Sequence, residues 1–478
     1  MFRFLFILLV LCAGVNGHQP NPYRLEDKYL INVPVLHVHE ECSEKSSYCT
    51  ESIYGHPVAI VERLNNGWVK IETEDNYQGY AKLANLIIDQ PIWRTSKNLC
   101  RISSVCGLIY PIADTEKPAL LRLPYGAYVE LVEDYDSNAD RWLEVKLIDG
   151  SLAWVQRGDV EKPTLLTLDE MLSLSTKFLQ RPYIWGGKSS EGFDCTGFVQ
   201  TLVAQMGVLL PRDSRPQAAS EKLYAVELDE LEPGDLLFFG VSRITHAGLY
   251  TGNHTFIHSG VGENRPRIDY STLEAYAEKF QAARRVKQPV FEAEIREIDQ
   301  EIEQKMLYSW KPNNPVPLSD LRYITLKHWG FDYCVHDGEL VVHKDVAREV
   351  VEIFEELYDH RYPIEKMLLI DAYLADDDLS CQDNNTSCFC SRPITNGKEW
   401  SDHSYGLAID INPLLNPYKN GNQPEPHKDH FLDRALQCRG LINEDDACYQ
   451  AFTRRGWKWG GNWQESRGYI DYQHFYKN

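Results

Sequence analysis

From Asn32 to about Val160, apolar and polar residues alternate in short runs broken by turn residues, and helical periods are few. Period-two alternation between such breaks predicts strands. The runs Val58 to Glu62, Trp68-Val69 and Gly79-Tyr80-Ala81 are echoed by Val129 to Glu133, Trp142-Leu143 and Leu152-Ala153-Trp154, so two small β barrels are expected, at 28–92 and 97–161. Beyond them the period changes. Phe198, Val199, Leu202, Val203 and Met206 recur at helical spacing after Cys195, with Gly207 at the stop. Ile295, Ile298, Ile302 and Met306 fall on one stripe of an acidic segment, predicting a linker helix at 291–307, and Lys311 to Pro317 breaks it. Val346 to Tyr358 is a strongly amphipathic helix, followed by the apolar Met367 to Ile370. Units at 162–290 and 308–478 complete a multidomain chain.

The length of 478 residues gives room for three or four domains. A formal charge of −21 argues against nucleic acid and against anionic wall polymers, but leaves small peptides as substrates. Met1 to Gly17 has the pattern of a signal peptide, with Arg3, an apolar core Phe4 to Leu11, and Val15-Asn16-Gly17 for cleavage. It is too short to span a bilayer, and no later segment is a membrane candidate. Leu11 before Cys12 argues against lipid attachment. Export, to the periplasm or the medium, is the expectation. Of 12 cysteines, setting aside Cys12 and Cys195 leaves ten, an even number that suits an oxidising compartment. Short loops suggest Cys42–Cys49, Cys100–Cys106 and Cys438–Cys448. Cys334, Cys381, Cys388 and Cys390 then have three possible connectivities, and the spacing of the last three does not suit structural zinc. The sequons at Asn253 and Asn385 matter only in a host that glycosylates.

Cys195 falls on the first turn of its helix, where free N–H groups and the dipole favour thiolate. Gly186 and Gly187 provide a flexible approach that keeps bulk from the sulfur. A lone helical cysteine is as readily a buried apolar side chain, but THAGLYTGNHTFIHSG adds His246 and His258. With a three-residue loop Thr251 to Asn253 the two lie directly opposite on a hairpin, and a two-residue loop shifts the pairing by one. One imidazole takes the thiol proton and the second ring fixes its tautomer. The YxWGG of Tyr183 to Gly187, DCxGFV of Asp194 to Val199, RDSxxQ of Arg212 to Gln217, PGDLLFF and HAGLY together resemble NlpC-type cysteine peptidases of bacterial peptidoglycan, over about residues 160 to 290. The resemblance implies a papain-like α+β fold with Cys195 as nucleophile, His246 as base and His258 as the orienting member. It further implies that Asp194 and Ser214, with Tyr183, bind a substrate's free amino end. The N-terminal units resemble the SH3-like modules that often precede such domains, acting either as spacers or as a wall that limits the cleft to short peptides.

In WSDHSYGLAIDINP, Trp400 to Pro413, His403 and Asp410 sit on a strand-like segment, and DYQHF near the end supplies Asp471 and His474. Two histidines and a carboxylate with a fourth position for water form a catalytic zinc set, with Asp471 as base. Singly, each histidine is more often a surface or hydrogen-bonded residue. Together Ser401, His403, Gly406, Ala408, Asp410 and the acidic-x-x-His-Phe ending resemble D-alanyl-D-alanine carboxypeptidase and L-alanyl-D-glutamate endopeptidase metallopeptidases. That resemblance implies an α+β fold, zinc as cofactor, Arg392 as ligand of a substrate carboxylate or oxyanion, and Ser401 beside the substrate. Asp471 stands where many members have Glu. Asp376 to Asp378 look like further ligands, but their adjacency fits a solvated loop. Both resemblances converge on an exported, two-headed hydrolase of peptidoglycan stem peptides. It would cut γ-D-glutamyl to diamino acid bonds at the cysteine and L-Ala to D-Glu or D-Ala to D-Ala bonds at the zinc. The alternative is a wall-binding or scaffolding protein with inactive peptidase domains.

Overall fold

The computed structural model describes residues 28–89, 91–133, 141–261, 266–394, 398–420, 429–463 and 469–477. The expected signal segment, with Cys12, lies outside them. Among the described residues no helix is long and apolar enough to cross a membrane.

The first sheet comprises β1 (Lys28–Ile31), β2 (Val35–His39), β3 (Tyr48–Ile53), β4 (Pro57–Arg63), β5 (Trp68–Thr73), β6 (Gln78–Lys82) and β7 (Leu86–Ile88), in the antiparallel order β3-β2-β6-β5-β4-β1-β7. The second comprises β8 (Leu99–Ile102), β9 (Cys106–Tyr110), β10 (Leu121–Pro124), β11 (Tyr128–Leu131), β12 (Trp142–Lys146), β13 (Leu152–Gln156) and β14 (Val160–Glu161), in the order β10-β9-β13-β12-β11-β8-β14. The second order repeats the first strand for strand, so the faint sequence echo is a repeat of topology. Ile31, Val38, Ile60, Val69 and Ile71 form a core from the first sheet alone, which requires that sheet to fold over its own apolar face. No pairing joins its two edge strands among the described residues. Rolled open sheets therefore stand where closed barrels were expected. Tyr54 joins the second sheet's core, its hydroxyl accepting the Ile148 N–H at 3.0 Å.

The five-residue helix α1 (Pro91–Thr95) lies between the two sheets in sequence and fastens them to the C-terminal unit. Arg94 donates to Asp89 at 2.7 Å and to Glu365 at 3.0 and 3.1 Å, and Lys28 pairs with Asp383 at 2.6 Å.

The cysteine unit opens with α2 (Leu168–Lys177), started by a reciprocal cap between Thr167 and Glu170. The short pair β15 (Lys188–Ser189) and β16 (Gly192–Phe193) leads into α3 (Cys195–Ala204), followed by α4 (Ser214–Ala218). Then come β17 (Leu223–Val226), β18 (Leu236–Phe239), β19 (His246–Gly252), β20 (Thr255–Val261), β21 (Pro266–Thr272) and β22 (Phe280–Val286), in the order β17-β22-β18-β19-β20-β21. The predicted apolar stripe of α3, Phe198, Val199, Leu202 and Val203, packs on Phe238, Leu249 and Ile257.

The expected linker helix is half strand. Residues Ala293–Glu297 form β23, paired along β24 (Leu321–Trp329) with Ile295 opposite Ile324. Only α5 (Gln300–Lys305), capped by Asp299, is helical, and it buries Ile302 while Met306 is buried at its C-cap. A free strand edge on β24 outweighed helical periodicity. β25 (Val335–His343) completes this sheet, and α6 (Ala347–Asp359) buries Val350, Ile353, Phe354 and Leu357 as predicted. Then follow α7 (Asp377–Gln382), β26 (Ala408–Asp410), β27 (Tyr418–Asn420), β28 (Lys458–Trp459), β29 (Tyr469–Asp471) and β30 (His474–Tyr476).

No disulfide joins the eleven described cysteines, so the expected bridges are not formed. Cys100 and Cys106 lie on β8 and β9, which are not neighbours in their sheet. The Cys49 thiol donates to Val38 O at 3.3 Å instead of meeting Cys42. Cys438 packs with Phe331 and Leu441, whereas Cys448 belongs to a different core with Phe452.

Candidate active sites

Asp194 is extended at φ −83° and its Oδ1 accepts the Gly197 N–H at 2.7 Å, which starts α3 at Cys195. The same carboxylate takes the Gly186 N–H at 3.1 Å, the Thr196 hydroxyl at 3.1 Å, and both Arg212 prongs at 3.0 and 2.6 Å. Asp194, expected on a substrate amine, is thus already engaged as helix cap and ion-pair partner. Arg212 also donates to Thr50 of β3 at 2.9 Å. The glycine pair is a seam and not a flexible approach: Gly186, at φ +74°, lies against the Tyr48 carbonyl of β3, and Gly197 packs on the Gly187 carbonyl. Ser214 opens α4 and is half-buried. Tyr183 is half-buried near Cys195, its hydroxyl pushed up to about 12 by burial and then by Cys195 and Asp194.

The β19–β20 hairpin turns on Asn253 and His254, both at positive φ, and a register shift follows at Tyr250/Gly252. Leu249 stands opposite Ile257. Continuing that register, His246 faces Gly260 and His258 faces Gly248, so the directly opposed histidines of the sequence reading are replaced by a diagonal pair. The two glycines leave the space through which the rings meet: a Cβ on Gly260 would lie 2.5 Å from His258 Nδ1 and 3.4 Å from His246 Cε1. His246 Nε2 and His258 Nδ1 are 2.8 Å apart, and His258 Nε2 is 2.9 Å from Ser271 Oγ. One tautomer series satisfies this chain with His246 Nδ1 bare: His246 donates to His258, and His258 to Ser271. Burial and His258 push His246 down to about 3, and burial pushes His258 down to about 4. Burial and then Asp194 push Cys195 up to about 11, against the Ala247 and Thr196 N–H groups and Arg212. The expected resting thiolate is therefore a neutral thiol at the Ala247 N–H, next in sequence to a neutral His246, because at 7 % exposure desolvation exceeds the pull of the helix end.

In the C-terminal unit, β26 and β30 pair with Asp410 directly opposite His474. His403 comes from a 3-10 turn, Asp402–Tyr405, and not from a strand. The turn is started by Ser401, whose hydroxyl accepts the His403 N–H at 3.4 Å, so Ser401 serves as a cap. One donor atom from each of His403, Asp410 and His474 lies within 4.8 Å of the others, and all three residues are buried. His403 Nδ1 contacts Cys388 O at 2.5 Å, leaving Nε2 toward Asp410 Oδ2 at 3.1 Å, and His474 Nδ1 is 2.9 Å from Asp410 Oδ1. His403 and His474 hold the Asp410 carboxylate far below its usual range despite burial. Asp402 and Asp410 raise His474 to about 10 against burial. Asp471 is buried with Oδ1 unpartnered, and burial pushes it up to about 7, with Asp410 reinforcing and His474 opposing. Two imidazoles, one shared carboxylate and an orphaned acid fit a divalent zinc ion, with His403, Asp410 and His474 as the holders. Arg392 pairs with Asp377 at 2.9 Å and keeps a buried Nε without a partner. The acidic run is thus not a solvated loop: Asp376 caps α7 and Asp377 holds Arg392.

Sequence reasoning missed Ser271 and Asp402. Ser271 reaches His258 across β21, beyond residues 262–265, and no local pattern announces it. Asp402, 3.9 Å from His474 Nε2, adjoins His403 in the motif and carried a signal by adjacency alone.

Residues 180–285 match the NlpC/P60 family model, and residues 395–477 match a D-alanyl-D-alanine carboxypeptidase model. A gamma-D-glutamyl-L-lysine dipeptidyl-peptidase from Bacillus cereus is 30% identical over 256 residues, covering 49% of this chain and 74% of that protein. A dipeptidyl-peptidase 6 from Lysinibacillus sphaericus is 26% identical over 229 residues, covering 46% and 82%. A crystal structure of an NlpC/P60 family protein from Bacillus cereus covers 55% of this chain and 100% of its own, at a TM-score of 0.48 and 22% identity.

Proposed function

Because the chain belongs to the NlpC/P60 family and is a peptidase, we propose that it is an exported, two-headed hydrolase of peptidoglycan stem peptides. The units would be a signal peptide at 1–17, SH3-like modules at 28–92 and 97–161, a cysteine peptidase at 162–290, a linker at 291–307 and a zinc peptidase at 308–478. The observation that carries the reading is the relay Ser271–His258–His246, which leaves one bare imidazole nitrogen on the strand that meets Cys195. His246 Nδ1 takes the thiol proton as sulfur attacks a peptide carbonyl. The same proton then goes to the departing amine, and water releases the thioester. Backbone N–H groups at the start of α3 hold the oxyanion. The names of the relatives support the γ-D-glutamyl to diamino acid bond for this head. Tyr183 and Ser214 line the amine side, and β3, set against Gly186 and Arg212, supports the reading that the first module limits the cleft to short, free-ended peptides.

At the second head, a zinc ion held by His403, Asp410 and His474 would supply Lewis-acid polarisation of the scissile carbonyl. Asp471, orphaned and inclined to hold a proton, acts as the base for the attacking water, and Arg392 takes a substrate carboxylate. L-Ala to D-Glu and D-Ala to D-Ala bonds both suit this arrangement. Incubating the protein with disaccharide-peptide fragments and reading the released masses tests the proposal. Cys195→Ala should remove one product and His403→Ala the other. No cleavage by the unmodified protein would favour the wall-binding alternative, and loss of both products from either single change would refute two separate sites.

A further inference from the structure

Beside the Ser271–His258–His246 relay stands an aromatic side chain with no part in it so far. Tyr276 lies on the 3-10 turn Glu274–Lys279 between β21 and β22, and its N–H donates to Leu273 O at 3.1 Å. Its ring stacks on His246 with 6.0 Å between centroids and 24° between planes, and meets His258 edge-on at 5.4 Å and 75°. Phe239 touches only the first imidazole and Phe256 only the second, so among the described residues Tyr276 is the one further ring in contact with both. Phe239 and Phe256 are buried and form a floor under the pair. Tyr276 packs on them at 5.1 and 5.2 Å but is itself half-buried, which makes it the outer cover. Rings at these separations attract in offset and edge-on arrangements and so hold one another's planes. A cover on the solvent side also withholds water, and loss of water disfavours an imidazolium. Burial is the largest cause of the low His246 value, ahead of His258 and Lys279. Lys279, on the same turn, holds its ammonium 5.5 Å over the Tyr276 ring. From β20 comes the neutral His258 and from α3 the neutral Cys195 at the Ala247 N–H, while Asp269 of β21, held by Arg267, acts on His258.

We propose that Tyr276 is a positioning residue of the cysteine head, a cover that aims the His246 ring and keeps water from it. The role rests on His246 being the base of that head, and its test does not need cleavage. Protonation of His246 is read on the full chain from the NMR signals of labelled histidines, its own being assigned by its loss in His246→Gln. In the unmodified protein it should stay neutral down to about pH 5. Tyr276→Ala should move its midpoint above that, toward the ordinary value of about 6.5. Tyr276→Phe keeps the ring, gives up only the hydroxyl contact to Ser271, and should leave the midpoint in place. Tyr276→Leu keeps apolar bulk against Phe239 and Phe256 and should show part of the rise, which guards against a loss of fold in the alanine variant. With L-Ala-γ-D-Glu-L-Lys as substrate, Tyr276→Ala should lower kcat about tenfold at unchanged KM, the pattern of a misplaced base, and Tyr276→Phe should turn over near normally. The inference falls if the alanine and leucine variants keep the low midpoint, if Phe shifts it as far as Ala, or if KM alone changes. It also falls if His246 of the unmodified protein already titrates at its ordinary value. Should the unmodified protein cleave nothing, the assignment of the head fails, and the histidine signals still decide the role of Tyr276.

Discussion

Gly260 is where a single methyl group should matter most. Its Cβ would stand 2.5 Å from His258 Nδ1, the atom that holds His246. Gly260→Ala is predicted to lower turnover at the cysteine head about a hundredfold, the cost of a misplaced catalytic group, with zinc-head products unchanged in the same digest. Cys195 sits at about 11 and His246 at about 3, so the thiol is neutral at pH 7 and the imidazole stays unprotonated well below its usual 6.5. Alkylation of Cys195 by iodoacetamide should accordingly rise about ninefold between pH 9 and pH 10, where an ordinary thiol gains less than about twofold. The acid limb of kcat/KM should lie below pH 5 and not near 6.5. At the second head, Asp471→Asn keeps the shape of the acid and leaves His403, Asp410 and His474 in place. Its activity should fall about a hundredfold or more while zinc content by metal analysis is unchanged. His474→Ala should lose the metal itself.

Among the elements, α1 is short but joins units distant in sequence. Arg94 ties Asp89 to Glu365, at 2.7 and 3.0 Å. Arg94→Met removes the cation paired with buried Asp89 and leaves half-buried Glu365 to the weaker pull of Lys28 and Lys366, and should cost about 3 kcal/mol, read as a lower urea midpoint. Replacing Glu365 as well should recover part of the loss, because a buried pair removed together is far less costly than one partner removed alone. The strand β23 teaches a related lesson. Ile295 shares a helical stripe with Ile298 and Ile302, yet the open edge of β24 takes its segment, since pairing there gives partners to alternate N–H and C=O groups of β23 and to those along the β24 edge that would otherwise lack them.

For the whole molecule, β3 reaches Gly186 and Arg212 while Lys28 and Arg94 hold the C-terminal unit. The N-terminal region therefore touches both the cysteine unit and the C-terminal unit. Deleting 32–160 should broaden cysteine-head cleavage from free-ended short peptides to internal bonds of longer chains, and an unchanged product profile in a folded truncation would make the sheets spacers. The sequence by itself determined the order of the two peptidase-like stretches and the repeat Val58/Val129 and Trp68/Trp142, and it offered Cys195, His246, His258, His403, Asp410 and His474 as candidates. The repeat is read from local periodicity, and the candidates from donor types together with the resemblance to two peptidase families, none of which needs knowledge of the fold. Only the tertiary structure decided the diagonal meeting of His246 with His258, the partner Ser271, the neutral state of Cys195, the engagement of Asp194 by Arg212 and the absence of the expected disulfides. Each of those depends on strand register, on burial or on which core a side chain enters, and these are set by contacts between residues far apart in the chain.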